Sequence, residues 1–213
     1  MIFSIEKSLV LVQLKKQLSS LFIMTNEQDN ILDKYFDKVL ERCEYCFQLT
    51  PNKYFSRDGE TFFSPYISTQ YTIFLYYFAN TVYKLEPEQN ELCDKLYYLN
   101  KSLNALDIYF AVDLPDFFMC EHPVGSVMGR AIYGEGFFFM QGCTVGGAGN
   151  RGFEVYPHIG KNVQMYANSM ILGNSHVSDN VMVGGGCIIK NQDIPPNSIV
   201  FGESPYLVIK PRK

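Results

Sequence analysis

Residues 159–194 read IGKNVQ MYANSM ILGNSH VSDNVM VGGGCI IKNQDI, and this stretch decides the fold. An aliphatic residue or methionine opens each of the six hexapeptides: Ile159, Met165, Ile171, Val177, Val183 and Ile189. The residue four places later is mostly small: Val163, Ser169, Ser175, Val181 and Cys187, with Asp193 as the exception. A period of six fits neither an α-helix nor an isolated alternating strand. It indicates a parallel β-helix, in which three hexapeptides close one triangular coil and residues eighteen apart stack about 4.8 Å from each other.

The six-residue step also continues backward from Ile159, with less regularity. We expect further inward positions at Val127, Tyr133, Phe139 and Val145. Fourteen residues separate Val145 from Ile159, so eight residues are inserted around residues 148–158. The wall of a β-helix cannot absorb an insertion, so these residues must leave the coil as a loop. Loops on a rigid scaffold often carry function.

The first half of the chain has a different character. Of the 16 glycines, only Gly59 precedes Gly125. Residues 1–105 show apolar positions at the three- and four-residue spacing of helices, with an aromatic block at 66–83 that is typical of a buried helix. We therefore predict an α+β chain with an α-helical N-terminal domain at 1–105. A parallel β-helix domain with one extended loop is expected at 106–213.

Composition excludes several classes of function. The net charge of −4 and the pI near 5.4 give no basic surface for nucleic acid. No apolar run reaches the roughly 18 to 20 residues of a membrane span, so a cytoplasmic protein is expected. The six cysteines are interpreted as free thiols of a reducing compartment. Cys43 and Cys46 have the spacing of a metal or redox pair, but no second pair accompanies them.

Ordered motifs in the second half point to a known family. They are LDI at 106–108, EH at 121–122, VGSVMG at 124–129, CTVGG at 143–147, YPHIG at 156–160, ILGN at 171–174 and DIPP at 193–196. In these motifs the chain resembles the serine acetyltransferase branch of the hexapeptide-repeat acyltransferases. The resemblance implies a left-handed β-helix preceded by helices, and an enzyme that moves the acetyl group of acetyl-CoA to a hydroxyl of a small acceptor.

The resemblance also assigns catalytic residues. His122 matches the family's catalytic histidine, which takes the proton from the acceptor hydroxyl. Asp107 matches the aspartate that orients this histidine, and Glu121 stands where the family has a second aspartate. General chemistry agrees, because a neutral imidazole with a pKa of about 6.5 is well matched to activating a hydroxyl at neutral pH. A histidine that only caps the first coil is the alternative interpretation.

Acetyl-CoA, in the family, lies along a groove between two parallel β-helices. By position, the small residues expected at this groove are Gly147, Ala167, Gly185 and Gly186. Because the groove needs a wall from the next subunit, we predict a homotrimer, with pairing of trimers into hexamers through the helical half as a further expectation.

No metal is expected, although His158 and His176 lie eighteen residues apart and should stack on adjacent coils. A metal enzyme resembling the carbonic anhydrases of this fold is therefore an alternative. A non-catalytic β-helix scaffold is another alternative.

The acceptor is predicted from a departure from the family. Tyr156 stands where the family has a second active-site histidine, which helps to hold serine. A tyrosine cannot carry positive charge toward the carboxylate of an amino acid, whereas its ring and that of Phe153 suit the apolar face of a sugar. We therefore expect a sugar hydroxyl, on a saccharide precursor of polysaccharide biosynthesis. Serine O-acetylation in cysteine biosynthesis is the alternative.

Overall fold

The computed structural model describes residues 1–147 and 155–212, which form two compact units at residues 1–104 and 105–213. The helices of the first unit are α1 (Lys7–Leu21), α2 (Asn26–Leu49), α3 (Ser68–Leu85) and α4 (Asn90–Asn104). Its short strands are β1 (Ile2–Phe3), β2 (Ser56–Arg57) and β3 (Glu60–Phe63), which form one sheet in the order β1-β3-β2. Within residues 1–147 and 155–212, no helix combines the length and the apolar character needed to cross a lipid bilayer.

The aromatic block forms the centre of the first unit. Residues 70–82 of α3 are all buried. The ring of Phe74 packs against the rings of Phe63 and Phe78, each with a centroid distance of 5.6 Å. A helix that is apolar on nearly every face is stable only inside a core, which is where α3 lies.

Cys43 and Cys46 lie side by side on α2, and both are buried. Burial raises the pKa of the Cys43 thiol well above its ordinary value. A buried neutral thiol is a poor metal ligand and a poor nucleophile, so Cys43 gives no support to a metal or redox site here.

The second unit is a parallel β-helix. Its strands are β4 (Asp107–Ile108), β5 (Phe118–Cys120), β6 (Val127–Met128), β7 (Ile132–Tyr133), β8 (Phe137–Phe139), β9 (Thr144–Gly146), β10 (His158–Ile159), β11 (Gln164–Met165), β12 (Met170–Leu172), β13 (His176–Val177), β14 (Met182–Val183), β15 (Ile188–Lys190), β16 (Ser198–Phe201) and β17 (Val208–Pro211).

These strands form the three walls of the coil. The Asp107 sheet has the order β15-β12-β9-β6-β4, the Phe118 sheet has the order β17-β16-β14-β11-β8-β5, and the His158 sheet has the order β13-β10-β7. The paired strands are parallel, apart from β16 and β17, which are antiparallel. The register pairs Ile159 with Val177, Met165 with Val183, and Ile171 with Ile189. The stacking of residues eighteen apart is therefore confirmed.

The predicted inward positions are correct with one exception. The six residues that open the hexapeptides of 159–194 are at most 3% exposed, and Tyr133, Phe139 and Val145 are buried as well. Val127, however, is 40% exposed, and its neighbour Met128 points inward instead. The prediction fails there because the step from the inward Met128 to the inward Tyr133 is five positions, not six.

Candidate active site

In each coil the chain turns a corner between the Phe118 sheet and the Asp107 sheet. These turns stack on one another, and we call the stack the His122 corner (residues 121–126, 140–143, 166–169 and 184–187). In the upper three coils four residues make this turn. In the first coil six residues make it, between Cys120, which pairs with Phe139, and Val127, which pairs with Thr144. The first turn is thus two residues longer than those above it, although the strands on both sides keep their register.

His122 lies within this longer turn. Its backbone has a positive φ of 51°, and its carbonyl oxygen accepts a hydrogen bond of 2.7 Å from the N–H of Val124. Such a φ is uncommon outside glycine, although histidine adopts it more readily than most residues. The side chain is exposed. The longer turn therefore presents an imidazole to solvent in a conformation that the flanking strands impose.

The two predicted carboxylate residues lie at or next to the turn that carries His122. The N–H of Asp107 donates a hydrogen bond of 2.9 Å to the carbonyl oxygen of Ser126, at the end of the same turn. Asp107 pairs with the exposed Val127, so its side chain also points outward from its sheet. Glu121 precedes His122, and its N–H donates to the carbonyl oxygen of Phe139 at 3.1 Å. The backbone of Asp107 is thus bonded to the end of the turn that carries His122, and Glu121 begins that turn.

Small residues continue this corner above His122. The N–H of Gly186 donates a hydrogen bond of 2.9 Å to the carbonyl oxygen of Ala167, and the N–H of Asn168 donates one of 2.9 Å to that of Gln141. A methyl group placed on Gly186 would meet no atom within 4 Å. Gly185 and Gly186 are exposed on this column, and Ala167 is half-buried beside them.

Sequence reasoning missed Gln141, which lies one coil above His122. Its Oε1 atom is buried and has no hydrogen-bond partner among the described residues. A buried unpaired oxygen costs free energy unless a ligand or water satisfies it. No pattern in the sequence distinguishes this glutamine, because its burial follows from the stacking of the coils.

The next turn, between the Asp107 sheet and the His158 sheet, holds the other predicted residues. We call it the Tyr156 corner (residues 130–131, 147, 155–157, 173–175 and 191–193). A methyl group on Gly147 would lie 2.8 Å from the carbonyl oxygen of Val155, so the base of the inserted loop is narrow. Gly147 follows its strand of the Asp107 sheet, whereas Ala167 and Gly185 precede theirs. Within one chain Gly147 is therefore at a different corner from Ala167 and Gly185. Phe153 lies outside the described residues.

Tyr156 stacks on a histidine and under an arginine. Its ring is nearly parallel to that of His158, at 8° and a centroid distance of 6.1 Å. The guanidinium carbon of Arg130 lies 5.0 Å from the centre of the Tyr156 ring. Sequence reasoning missed Arg130, although it directly follows the VGSVMG motif.

The predicted stack of histidines is present on the outer face of the His158 sheet. His158 pairs with His176, and their ring centroids are 5.8 Å apart. Among the described residues, no group of three or more histidine, cysteine, aspartate or glutamate side chains is placed to hold a metal ion.

Comparison with known proteins identifies the same relatives as the motifs. The serine acetyltransferase of Synechococcus elongatus is 31% identical over 108 residues, which make up 50% of this chain and 44% of that enzyme. The chain spans about half or less of the length of the curated relatives it matches. No family model matches the chain.

Solved structures agree with the sequence comparison. The serine acetyltransferase of Neisseria gonorrhoeae superposes with a TM-score of 0.68 at 24% identity, over 86% of this chain and 69% of that one. Soybean serine acetyltransferase complexed with serine gives a TM-score of 0.60 at 25% identity, over 67% of this chain and 58% of that one. The predicted fold, helices followed by a left-handed parallel β-helix, is confirmed, and so is the resemblance to serine acetyltransferases.

Proposed function

We propose that this protein is an acetyl-CoA-dependent O-acetyltransferase with L-serine as its first candidate acceptor. The observation that carries the proposal is the exposed His122, held at a positive φ by a turn two residues longer than those above it. The similarity to serine acetyltransferases, one of them solved with serine bound, supports both the reaction and the acceptor.

The chemistry assigned to these residues is a direct transfer. His122 takes the proton of the acceptor hydroxyl while the oxygen attacks the thioester carbonyl of acetyl-CoA. The tetrahedral intermediate then collapses, an ester forms, and the sulfur of CoA leaves with the proton that the imidazolium returns. We assign to Asp107 the role of the carboxylate that orients the imidazole and stabilises its positive charge, with Glu121 beside it.

The substrates have distinct places in this proposal. We assign acetyl-CoA to the exposed Gly185 and Gly186 above His122, next to Ala167. The acceptor belongs on the outer face of the Asp107 sheet, beside Asp107. We also propose that the two units are separate domains, with boundaries close to residue 105, and that the molecule is a homotrimer.

A sugar hydroxyl is the second candidate acceptor. The observation that favours it is the ring of Tyr156, which stacks on His158 and lies under the guanidinium of Arg130. The relatives and solved structures named above give the sugar no support, so serine takes first place.

Release of CoA tests the proposal and separates the candidates. The purified protein is incubated with acetyl-CoA and, in turn, L-serine, monosaccharides and nucleotide sugars, and products are identified by mass spectrometry. We expect O-acetylserine. Transfer only to sugars would favour the second candidate. Absence of transfer to every acceptor would overturn the proposal, and elemental analysis for zinc together with a carbon dioxide hydration assay would then separate a metal enzyme from a scaffold.

A further inference from the structure

The third corner of the coil carries a column of asparagines. The chain turns here between the His158 sheet and the Phe118 sheet, and we call the stack of turns the Asn162 corner (residues 134–136, 160–163, 178–181 and 195–197). The Nδ2 of Asn162 donates a hydrogen bond of 3.2 Å to the Oδ1 of Asn180, and the Nδ2 of Asn180 donates one of 3.1 Å to the Oδ1 of Asn197. Both bonds point the same way, so the Nδ2 of Asn197 has no acceptor among the described residues.

Arg212 closes the upper end of this column. Its backbone N–H donates a hydrogen bond of 2.8 Å to the carbonyl oxygen of Asn197, which places Arg212 in register with the asparagines. Its half-buried side chain runs back down the coils. There Nη2 donates to the Oε1 of Gln164 at 3.1 Å, and Nη1 donates to the carbonyl oxygen of Asn180 at 3.5 Å. Both acceptors are neutral, so these bonds hold the guanidinium in place without cancelling its charge.

A cavity of about 450 Å³ lies along this column, on the outer face of the Phe118 sheet. Arg212, Gln164 and Asn197 line its polar end, and the side chains of Phe117 and Met119 line its apolar end. The strand of Gln164 pairs with β8, and β8 pairs with β5, so two strand spacings, or about 10 Å, separate the two ends. Small-molecule sites have volumes of roughly 300–1,000 Å³, so a compact organic molecule fits.

The charge of the cavity selects its ligand. Among the described residues that line it, Arg212 alone carries a charge, and no described carboxylate forms an ion pair with this arginine. Glu135 and Asp179 also lie at the corner, but both are exposed and accept hydrogen bonds from backbone N–H groups, of Phe117 at 3.2 Å and of Lys161 at 2.7 Å. A half-buried guanidinium without a counter-charge is stabilised by an anion, which accepts strong hydrogen bonds from it.

We propose that this cavity is a second ligand site, which binds a small organic anion. The carboxylate or phosphate of the ligand lies on the guanidinium of Arg212, where Asn197 adds an N–H donor. An apolar or aromatic group of the ligand lies about 10 Å away, against Phe117 and Met119. The site is at a different corner from His122 and goes beyond the proposed transferase reaction, on which it does not rest.

Matched ligands that differ in one charge test the inference. Calorimetric titration compares hydrocinnamate and phenyl phosphate with the neutral hydrocinnamyl alcohol, for the unmodified protein, Arg212→Gln and Arg212→Lys. Lys190→Gln, which removes an exposed cation on the Asp107 sheet, is the control. We expect both anions to bind, and Arg212→Gln to weaken them roughly tenfold to hundredfold. Arg212→Lys should recover part of this loss, because it restores the charge without the two-pronged geometry.

A second variant covers the case in which Arg212→Gln fails to fold, as judged by circular dichroism. Gln164→Met keeps the size of the side chain but removes the Oε1 that orients the guanidinium. It should weaken both anions severalfold and leave the neutral alcohol unaffected.

Three results would overturn the site: no binding of either anion, equal binding of the neutral alcohol, or unchanged affinity for the anions in a folded variant. Titration beside CoA or dephospho-CoA then identifies the source of the anion. Hydrocinnamate binding that persists beside saturating CoA supports a separate site. Binding that CoA abolishes but dephospho-CoA does not would assign Arg212 to the ribose phosphate of CoA and overturn the separate site. These titrations need no acetyl transfer, so a failure of the proposed function is distinguishable from a failure of this inference.

Discussion

At the scale of single residues, the proposed chemistry depends most on His122. We expect His122→Ala to lower kcat by roughly 10²–10⁴-fold, the usual contribution of a general base, while the KM for acetyl-CoA changes little. Asp107→Asn should lower kcat less, because the carboxylate orients the base without accepting the acceptor's proton. His176→Ala is the matched control, since His176 is also exposed but lies on the His158 sheet. Steady-state release of CoA provides the measurement.

A different result would assign His122 another role. If His122→Ala keeps close to full turnover but lowers the melting temperature, the histidine only shapes the longer turn of the first coil. His122→Gly then separates the two roles further, because glycine adopts a positive φ without strain and removes the imidazole. A glycine variant that is stable and inactive is the outcome expected for a general base.

At the scale of elements, the coils touch where a glycine faces a glycine. A methyl group on Gly134 would lie 2.5 Å from the backbone carbon of Gly160, one coil above, whereas one on Gly146 would meet no atom within 4 Å. We expect Gly134→Ala to lower the free energy of unfolding by about 1–3 kcal/mol, because the backbone of the next coil cannot move aside without disturbing its neighbours. Gly146→Ala, the matched control, should be close to neutral.

Thermal or denaturant unfolding, followed by circular dichroism, measures both variants. Equal stability of Gly134→Ala and Gly146→Ala would mean that the coils can separate locally at little cost. That result would contradict the close contact of the two glycines.

The elements also show what the sequence can predict. The period of six identifies the β-helix because each wall repeats the same inward position, and residues such as Met165 and Ile171 are buried as expected. The pattern fails at Val127, where a short corner moves the inward position by one residue. Gln141 and Arg130 were missed for a related reason. The buried oxygen of Gln141 and the contact of Arg130 with Tyr156 depend on what lies one coil away, and periodicity carries no information about such contacts.

At the scale of the whole molecule, the separation of the two corners favours an assembly. Gly147 and Tyr156 lie at one corner of the coil, whereas His122, Ala167 and Gly185 lie at another. Residues from both sets were expected around the substrates, and a neighbouring subunit can bring one corner against the other. We therefore expect three chains of 24.4 kDa in one particle with threefold symmetry. Light scattering coupled to size exclusion measures the mass, and an active monomer would contradict this expectation.

The thiols give a second prediction for the whole molecule. All six cysteines lie in the described part of the chain as buried thiols outside any disulfide. An aromatic disulfide reagent should therefore label almost no thiol in the native protein and six after unfolding, which also keeps the background low in an assay of CoA release. Rapid labelling of the native protein would contradict the burial of these side chains.

The same burial links stability to pH. Burial raises the pKa of Cys187 from 9.0 to about 11. The unfolded chain therefore loses this proton before the folded one does, and stability falls as the pH rises through this window. Unfolding measured from pH 8 to pH 11 should show that Cys187→Ala loses part of this dependence. An unchanged pH dependence in the variant would contradict the assigned pKa.

The longer turn at His122 has an evolutionary consequence. Substitution inside a coil is constrained, because each inward side chain stacks on its equivalents above and below. Residues added at a corner meet no such constraint, since Cys120 still pairs with Phe139 and Val127 with Thr144 on either side of the added pair. Lineages of such chains can therefore gain, lose or exchange chemistry through short insertions and deletions at corners, while the walls stay unchanged. We therefore expect gaps in an alignment of such chains to fall at the corners rather than in the walls.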